Sequence, residues 1–227
     1  KIDIITKKEL LILVGKYMSV KDPIDLIEKL LKKRKLVSIK KGIYMIIPFT
    51  AIDKKWSLDE QRFVDYLLKD DYYIGLYNAF NMYHFTEQIP NKLFVFNTKY
   101  SSDRITLSRK IKFFKIKKDK LFGILKEHKY PYSDKERTII DALEYPMYLG
   151  RLNNVIERVN NSKYDKKKLI DYAIKYNSVK IMKIIGYLTK SLEIYRILKK
   201  RGKLDYYTTV KRTRMSVIDK KWKIRLI

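Results

Sequence analysis

The chain has no cysteine, which excludes a disulfide framework and any thiolate metal site. Its two histidines, His84 and His128, stand far apart in the sequence and offer little for a histidine-based metal centre. No apolar run approaches the roughly 20 residues of a membrane span, and no signal-peptide pattern opens at Lys1. The expectation is therefore a soluble, cytoplasmic protein with no membrane partner. A Walker phosphate loop, a Gly-rich dinucleotide turn and a nucleophile elbow are all missing, as are repeats, low-complexity tracts and Gly/Ser linkers. We expect no cofactor, no metal and no catalytic residue.

Acidic residues are the other shortage. Asp and Glu total 25 against 52 Lys and Arg, for a formal charge of +27. A field of that size draws polyanions and makes their affinity salt-dependent. Part of the excess also fits the Lys- and Ile-rich composition of a heat-adapted chain. The hydrophobic fraction of 46% is enough for a real core, and 227 residues accommodate one large domain or a small and a medium one. The 19 tyrosines follow amphipathic periods, which reads as core edge rather than base-stacking platform.

Residues 22–47, DPIDLIEKLLKKRKLVSIKKGIYMII, carry the clearest local signal. Asp22 is placed as N-cap and Pro23 as first helical residue. Ile24, Ile27, Leu30 and Leu31 recur at helical spacing, and a basic run at 32–35 ends the helix. Residues 36–39 and 43–47 alternate like two strands around Lys40-Lys41-Gly42. Before them, Thr6-Lys7-Lys8-Glu9 is a capping box opening a helix with Leu10, Leu11, Leu13 and Val14 on its apolar face. Helix, turn, helix and basic hairpin are the order of a winged helix-turn-helix. An ordinary helix–hairpin surface fits the same pattern.

Residues 48–55 read as a linker. Beyond it, Ser57-Leu58-Asp59-Glu60 forms a second capping box for a helix to Leu68, and residues 72–83 read as another helix. Residues 93–98 and 111–116 are expected strands; 105–107 and 121–125 are weaker ones. Ser133-Asp134-Lys135-Glu136 is a third capping box, with Glu136 completing the cap and an Arg137–Asp141 pair at i,i+4. Pro146 stops that helix. Residues 152–159, 169–176 (entered through Asp165), 179–188 and 193–200 read as helices, and 221–227 as a strand returning to the sheet. The expected fold class is α+β: an N-terminal winged helix-turn-helix at 1–50, then at 56–227 a mixed sheet with packed helices and a C-terminal helical part.

Several segments, in order along nearly the whole chain, resemble the AbiEi family of antitoxins and transcriptional regulators. YYIGLYNAFNMYHFTEQIPNKLFVFNTK at 72–99 is similar to its aromatic helix running into T-E-Q-x-P and a strand. SDKERTIIDALEYPMYLG at 133–150 resembles its E-R-T-x-x-D-x-x-x-x-P segment, and KKGIYMI at 40–46 its wing. KKLIDYAIKYNSVKIMKIIGYLTK at 167–190 and DKKWKIRLI at 219–227 resemble its C-terminal helices and closing strand. Ile184-Ile185-Gly186 stands where the family often has Arg-Leu-Gly, so a charge is missing from what reads as a C-terminal surface. The resemblance implies a DNA-binding domain repressing its own operon. It also implies an antitoxin domain countering a nucleotidyltransferase-like toxin of the AbiEii kind without stable complex formation.

For duplex DNA, our expected contacts are Ser19 and Lys21 at the helix entry, Lys29, Lys32 and Lys33 on the helix, Arg34 and Lys35 at the turn, and Lys40 and Lys41 at the wing tip. Asp25 and Glu28 share the helix face and repel phosphate; Asp25–Lys29 and Glu28–Lys32 pairs would neutralise them. The partner is then the chain's own promoter, with inverted repeats. RNA is an alternative, through basic–aromatic strips at 109–120 (Phe113, Phe114) and 196–214 (Tyr206, Tyr207), although such alternation also marks a sheet with one wet lysine face. A metal-dependent nuclease is the third reading, resting on Asp119 and Glu127-His128-Lys129, with Asn97 where such a site wants Glu.

Overall fold

The computed structural model describes residues 4–17, 23–48, 60–105, 110–210 and 217–226. The chain is α+β and divides into two compact units, Lys1–Asp59 and Glu60–Ile227.

Unit 1 is strand-first. β1 (Ile4–Thr6) leads directly into α1 (Lys7–Tyr17), followed by α2 (Pro23–Lys32), β2 (Leu36–Lys40) and β3 (Ile43–Ile46). The three strands form one antiparallel sheet in the order β1-β3-β2. The capping box at the head of α1 forms: Glu9 accepts from the Thr6 backbone N–H at 2.8 Å, and the Thr6 hydroxyl accepts from the Glu9 N–H at 3.2 Å. Ile5, Leu10, Val14, Ile27 and Leu36 make a small core. Ile24 and Leu13, expected inside, are 51% and 44% exposed, because so short a unit has apolar partners for only one side of each helix.

Unit 2 is built on a six-stranded mixed sheet in the order β6-β7-β5-β4-β9-β8. Its strands are β4 (Tyr72–Ile74), β5 (Lys92–Asn97), β6 (Ser102–Ile105), β7 (Lys110–Lys115), β8 (Ile124–Leu125) and β9 (Tyr132–Ser133). β5 runs parallel to β7 and antiparallel to β4. Leu93 through Asn97 are all buried, so both faces of β5 are covered. One face, with Tyr73, Phe94, Phe96 and Phe114, belongs to the main core. α3 (Glu60–Leu68), which buries Phe63, Val64 and Leu68, also packs against β5.

The segment expected as one helix at 72–83 is instead β4 followed by a short α4 (Tyr77–Met82). Tyr72, Tyr73 and Ile74 are strand formers, and at Gly75 a Cβ would meet the rings of Tyr73 and Phe96 at 2.8 and 3.1 Å. Leu76 then turns the chain at φ 53°. The helical period of Tyr73, Tyr77 and Phe80 was real but spanned two elements.

The helical half follows: α5 (Lys135–Glu144), α6 (Leu152–Asn160), α7 (Lys166–Tyr176), α8 (Val179–Thr189) and α9 (Leu192–Lys200), with a 3-10 turn at Pro146–Leu149. Asp165 caps α7 by accepting from the Lys168 N–H, and Ser191 caps α9 through the Ile194 N–H. The closing strand does not return to the large sheet. β12 (Ile224–Leu226) lies centrally in a separate sheet, parallel to β10 (Thr208–Val210) and antiparallel to β11 (Val217–Asp219). Trp222, 1% exposed, occupies the space a side chain at Gly186 of α8 would need. Ile184 is 1% exposed, so the position read as a surface lacking a charge is core.

Among the described residues, no helix is long and apolar enough to cross a membrane.

Candidate nucleic-acid interface

The exposed basic residues of unit 1 lie at the end of α2 and at the tip of the hairpin that follows. α2 buries Ile27 and turns Lys29, Lys32 and Lys33 to solvent. Arg34, also exposed, takes the left-handed conformation at φ 53°. The Lys35 N–H donates to the Leu30 carbonyl at 2.9 Å and the Arg34 N–H to Leu31 at 3.0 Å. This pair of bonds is the Schellman closure of a helix, and Arg34 occupies the position glycine usually fills. A side chain held in that conformation costs about 1–2 kcal/mol, so Arg34 has a backbone reason to be glycine and keeps its charge instead.

The hairpin tip, Lys41-Gly42, turns with Gly42 at φ 77°. The Gly42 carbonyl accepts from the Lys7 N–H at 2.7 Å, tying the tip to the start of α1, and the Ile47 N–H donates to the Lys35 carbonyl at 2.9 Å, closing the base. Lys41 is exposed and Lys35 half-buried. A register irregularity between Ser38 and Lys40 sharpens the twist of β2. Lys40 pairs with Ile43 through the backbone, but its side chain lies outside the described residues, as do Ser19 and Lys21 and the expected N-cap Asp22.

Of the expected neutralising pairs, Asp25–Lys29 forms at 3.9 Å between exposed groups, which makes it worth little. Glu28 and Lys32 remain exposed without that pair. Lys29, Lys32, Lys33, Arg34 and Lys41 thus stand exposed against Asp25 and Glu28. Such a surface can position a phosphate backbone. A groove of about 480 Å³ between β1 and α1, walled by Ile4, Ile12, Leu13 and Tyr17, is apolar and of different chemistry.

The acid-and-arginine segment at 133–141 is not a surface. Asp134, rather than Ser133, caps α5 by accepting from the Arg137 N–H at 2.8 Å. Glu136 does not complete that cap; it accepts from the Asp165 N–H at 2.9 Å and pairs with Lys168 at 3.1 Å. Arg137 and Asp141 do pair, with both side chains fully buried. The Arg137 guanidinium reaches Asp141 Oδ1 at 3.1 Å through Nε and through Nη2, the Tyr73 hydroxyl at 2.7 Å and the Lys120 carbonyl at 2.9 Å. It lies over the Phe122 ring at 4.8 Å and that of Tyr176 at 5.1 Å. Burial pushes the Asp141 carboxyl above its ordinary range, with Arg137 countering part of the rise. Burial opposes the Arg137 charge, and Asp141, Tyr73 and Tyr176 together more than offset it. The network joins β4, the loop before β8 and α5. Its character as core was hidden in the sequence because an i,i+4 pair reads equally well as solvated.

Among the described residues, no group of three or more His, Asp or Glu side chains could hold a metal ion. Asp119 and residues 127–129 are exposed, and Asn97, fully buried, organises the turn after β5 by accepting from the Lys99 and Tyr100 N–H groups at 2.9 Å each. A cleft of about 110 Å³ lined by Asp65, Lys69, Asp70, Lys126, His128 and Lys129 includes neither Asp119 nor Glu127. The basic strip at 110–115 is a strand with Ile111 and Phe113 inside and Lys110 and Lys115 in solvent. The strip at 196–210 is not a sheet face: it is the end of α9, a run of turns and β10.

Fold and charge define the chain as a two-unit α+β protein with a basic three-stranded N-terminal unit. No protein-family model matches it, and no curated protein does. Its fold is similar to the crystal structure of the Rv2827c protein from Mycobacterium tuberculosis, with a TM-score of 0.66 at 13% identity over 98% of this chain and 86% of that one.

Proposed function

We propose that the chain is a non-enzymatic, cytoplasmic DNA-binding transcriptional regulator that represses its own promoter at inverted repeats, with unit 1 acting as a winged helix-turn-helix. The observation carrying this reading is the set of exposed cations at the two ends of the hairpin: Lys29, Lys32, Lys33 and Arg34 where α2 closes, and Lys41 at the tip. An arginine kept in a glycine conformation at the close of α2 supports it. In this reading α2 is the helix presented to the groove and β2–β3 the wing. The acids on α2 weaken it as a reader, so the turn and wing carry most of the phosphate contact.

The segments resembling AbiEi extend the proposal: unit 2 serves as an antitoxin against a nucleotidyltransferase-like toxin encoded beside it. Growth rescue on co-expression with the downstream reading frame tests this, and absence of rescue refutes it. For DNA, fluorescence anisotropy of the full chain on duplex from upstream of its own coding sequence should show tight binding with a steep salt dependence. Arg34→Glu with Lys41→Glu should abolish binding at 0.15 M salt and lower the slope by about 0.9 for each phosphate no longer neutralised. Unchanged affinity would remove unit 1 from the interface.

A further inference from the structure

Unit 2 carries a second basic surface with a different make-up. Among the described residues from 191 to 226 the acids are Glu193, Asp205 and Asp219, set against nine lysines and arginines. The approach to β12 alternates strictly: Trp222 and Ile224 are buried at 1% and 2%, while Lys223 and Arg225 lie half-exposed. Both cations lie over one ring, Tyr207, with Lys223 Nζ 5.0 Å and the Arg225 guanidinium 5.4 Å from its centroid. Among the described residues the covered Arg225 Nε has no hydrogen-bond partner, and the guanidinium lies against the Tyr207 ring. Opposite Arg225 in the antiparallel register stands Ile218, 54% exposed, and Tyr206 beside Tyr207 is 47% exposed.

This face is fastened from beneath. Lys183 of α8 is fully buried, and its Nζ donates to the Tyr206 carbonyl at 2.8 Å and the Lys223 carbonyl at 3.5 Å. No carboxylate pairs with it among the described residues, and burial pushes its ammonium below the ordinary range. A buried cation is retained here to pin the two segments that present Tyr207 and Lys223.

We propose that Tyr207, Lys223, Arg225 and Ile218 form a docking surface for single-stranded RNA. The cations hold phosphates, while the Tyr207 ring and the guanidinium plane stack on unpaired bases. Duplex DNA keeps its bases stacked inside and offers nothing to these planar groups. RNA exposes such unpaired bases in its loops and ends. This site is independent of unit 1 and does not rest on its DNA role.

The test is fluorescence anisotropy of the full chain with an unstructured RNA of about 20 nucleotides, beside the promoter duplex and single-stranded DNA of the RNA's sequence. Tyr207→Ala and Arg225→Ala should each weaken RNA binding roughly tenfold and leave duplex affinity unchanged, whereas Tyr207→Phe should retain it. Lys41→Glu should do the reverse. Far-UV circular dichroism checks the fold. If Tyr207→Ala unfolds, Lys223→Gln serves in its place, since it removes a surface charge and leaves the pinned backbone intact. The proposal is overturned if the alanine variants bind RNA like the wild type, or if Lys41→Glu loses RNA in step with duplex. It is also overturned if single-stranded DNA binds as tightly, or if phosphatidylserine vesicles displace the RNA.

Discussion

Replacing Arg137 by Met keeps most of the side-chain volume and removes the charge at the centre of unit 2. The guanidinium makes two 3.1 Å contacts to Asp141, one to the Tyr73 hydroxyl and one to the Lys120 carbonyl, all inside the core. Without it, Asp141 keeps only the Tyr73 hydroxyl, which donates to Oδ2 at 3.0 Å, and the Lys120 carbonyl loses this donor. An uncompensated buried charge costs about 3–5 kcal/mol, and that is the destabilisation expected for Arg137→Met at pH 7. The effect should depend on pH. Burial already raises the Asp141 carboxyl, and loss of Arg137 raises it further. A carboxyl whose folded value exceeds its unfolded value binds a proton more readily in the folded chain, so its penalty is full above the folded value and fades as pH falls towards the unfolded one. The deficit of Arg137→Met should therefore shrink between pH 7 and pH 4. Adding Asp141→Leu should recover most of it, because an apolar pair needs no desolvated charge. Urea denaturation in a Trp56→Phe background, read from the fluorescence of buried Trp222, measures this. A single variant within about 1 kcal/mol of wild type, a pH-independent deficit, or a double variant as unstable as the single one would refute the account.

Two further outcomes follow from backbone positions. Arg34→Gly should stabilise unit 1 by about 1 kcal/mol, since glycine meets no penalty at φ 53°, while weakening duplex binding. Calorimetry and anisotropy on the same preparation check both signs. Gly186→Ala should destabilise unit 2 by about 1–3 kcal/mol, because its methyl would overlap the Trp222 indole; thermal denaturation measures it, and Trp222→Leu in the same background should return part of the loss.

The helical half of unit 2 was legible in the sequence because its signals are local. Leu169, Ala173 and Tyr176 recur at helical spacing behind the Asp165 cap, and all three are buried. The Thr6–Glu9 box and the basic hairpin were legible for the same reason. β1 was not: three residues running into a capping box are too few to show alternation, and Ile4–Thr6 becomes a strand only because β3 is there to pair with it. β4 was hidden because Tyr73 serves both a strand period and a helix period. No local pattern reveals that β5 and β7 run parallel or that β12 joins a separate sheet, since these pairings are long-range. Of the expected DNA contacts, solvent exposure was legible for Lys29, Lys32, Lys33, Arg34 and Lys41. The roles of Arg137 and Lys183 were not, because burial of a charge is decided by elements remote in sequence.

In the small sheet of unit 2, β12 is the middle strand but follows both its neighbours along the chain. During synthesis β10 and β11 emerge with no strand between them, and α8 emerges with the hollow over Gly186 still open. Only when Trp222 and the residues after it arrive can that hollow fill and the two waiting strands be bridged. The helical half must therefore hold an unsealed apolar notch until nearly all of this sequence has left the ribosome, and a nascent chain stalled before residue 222 would offer that notch to chaperones.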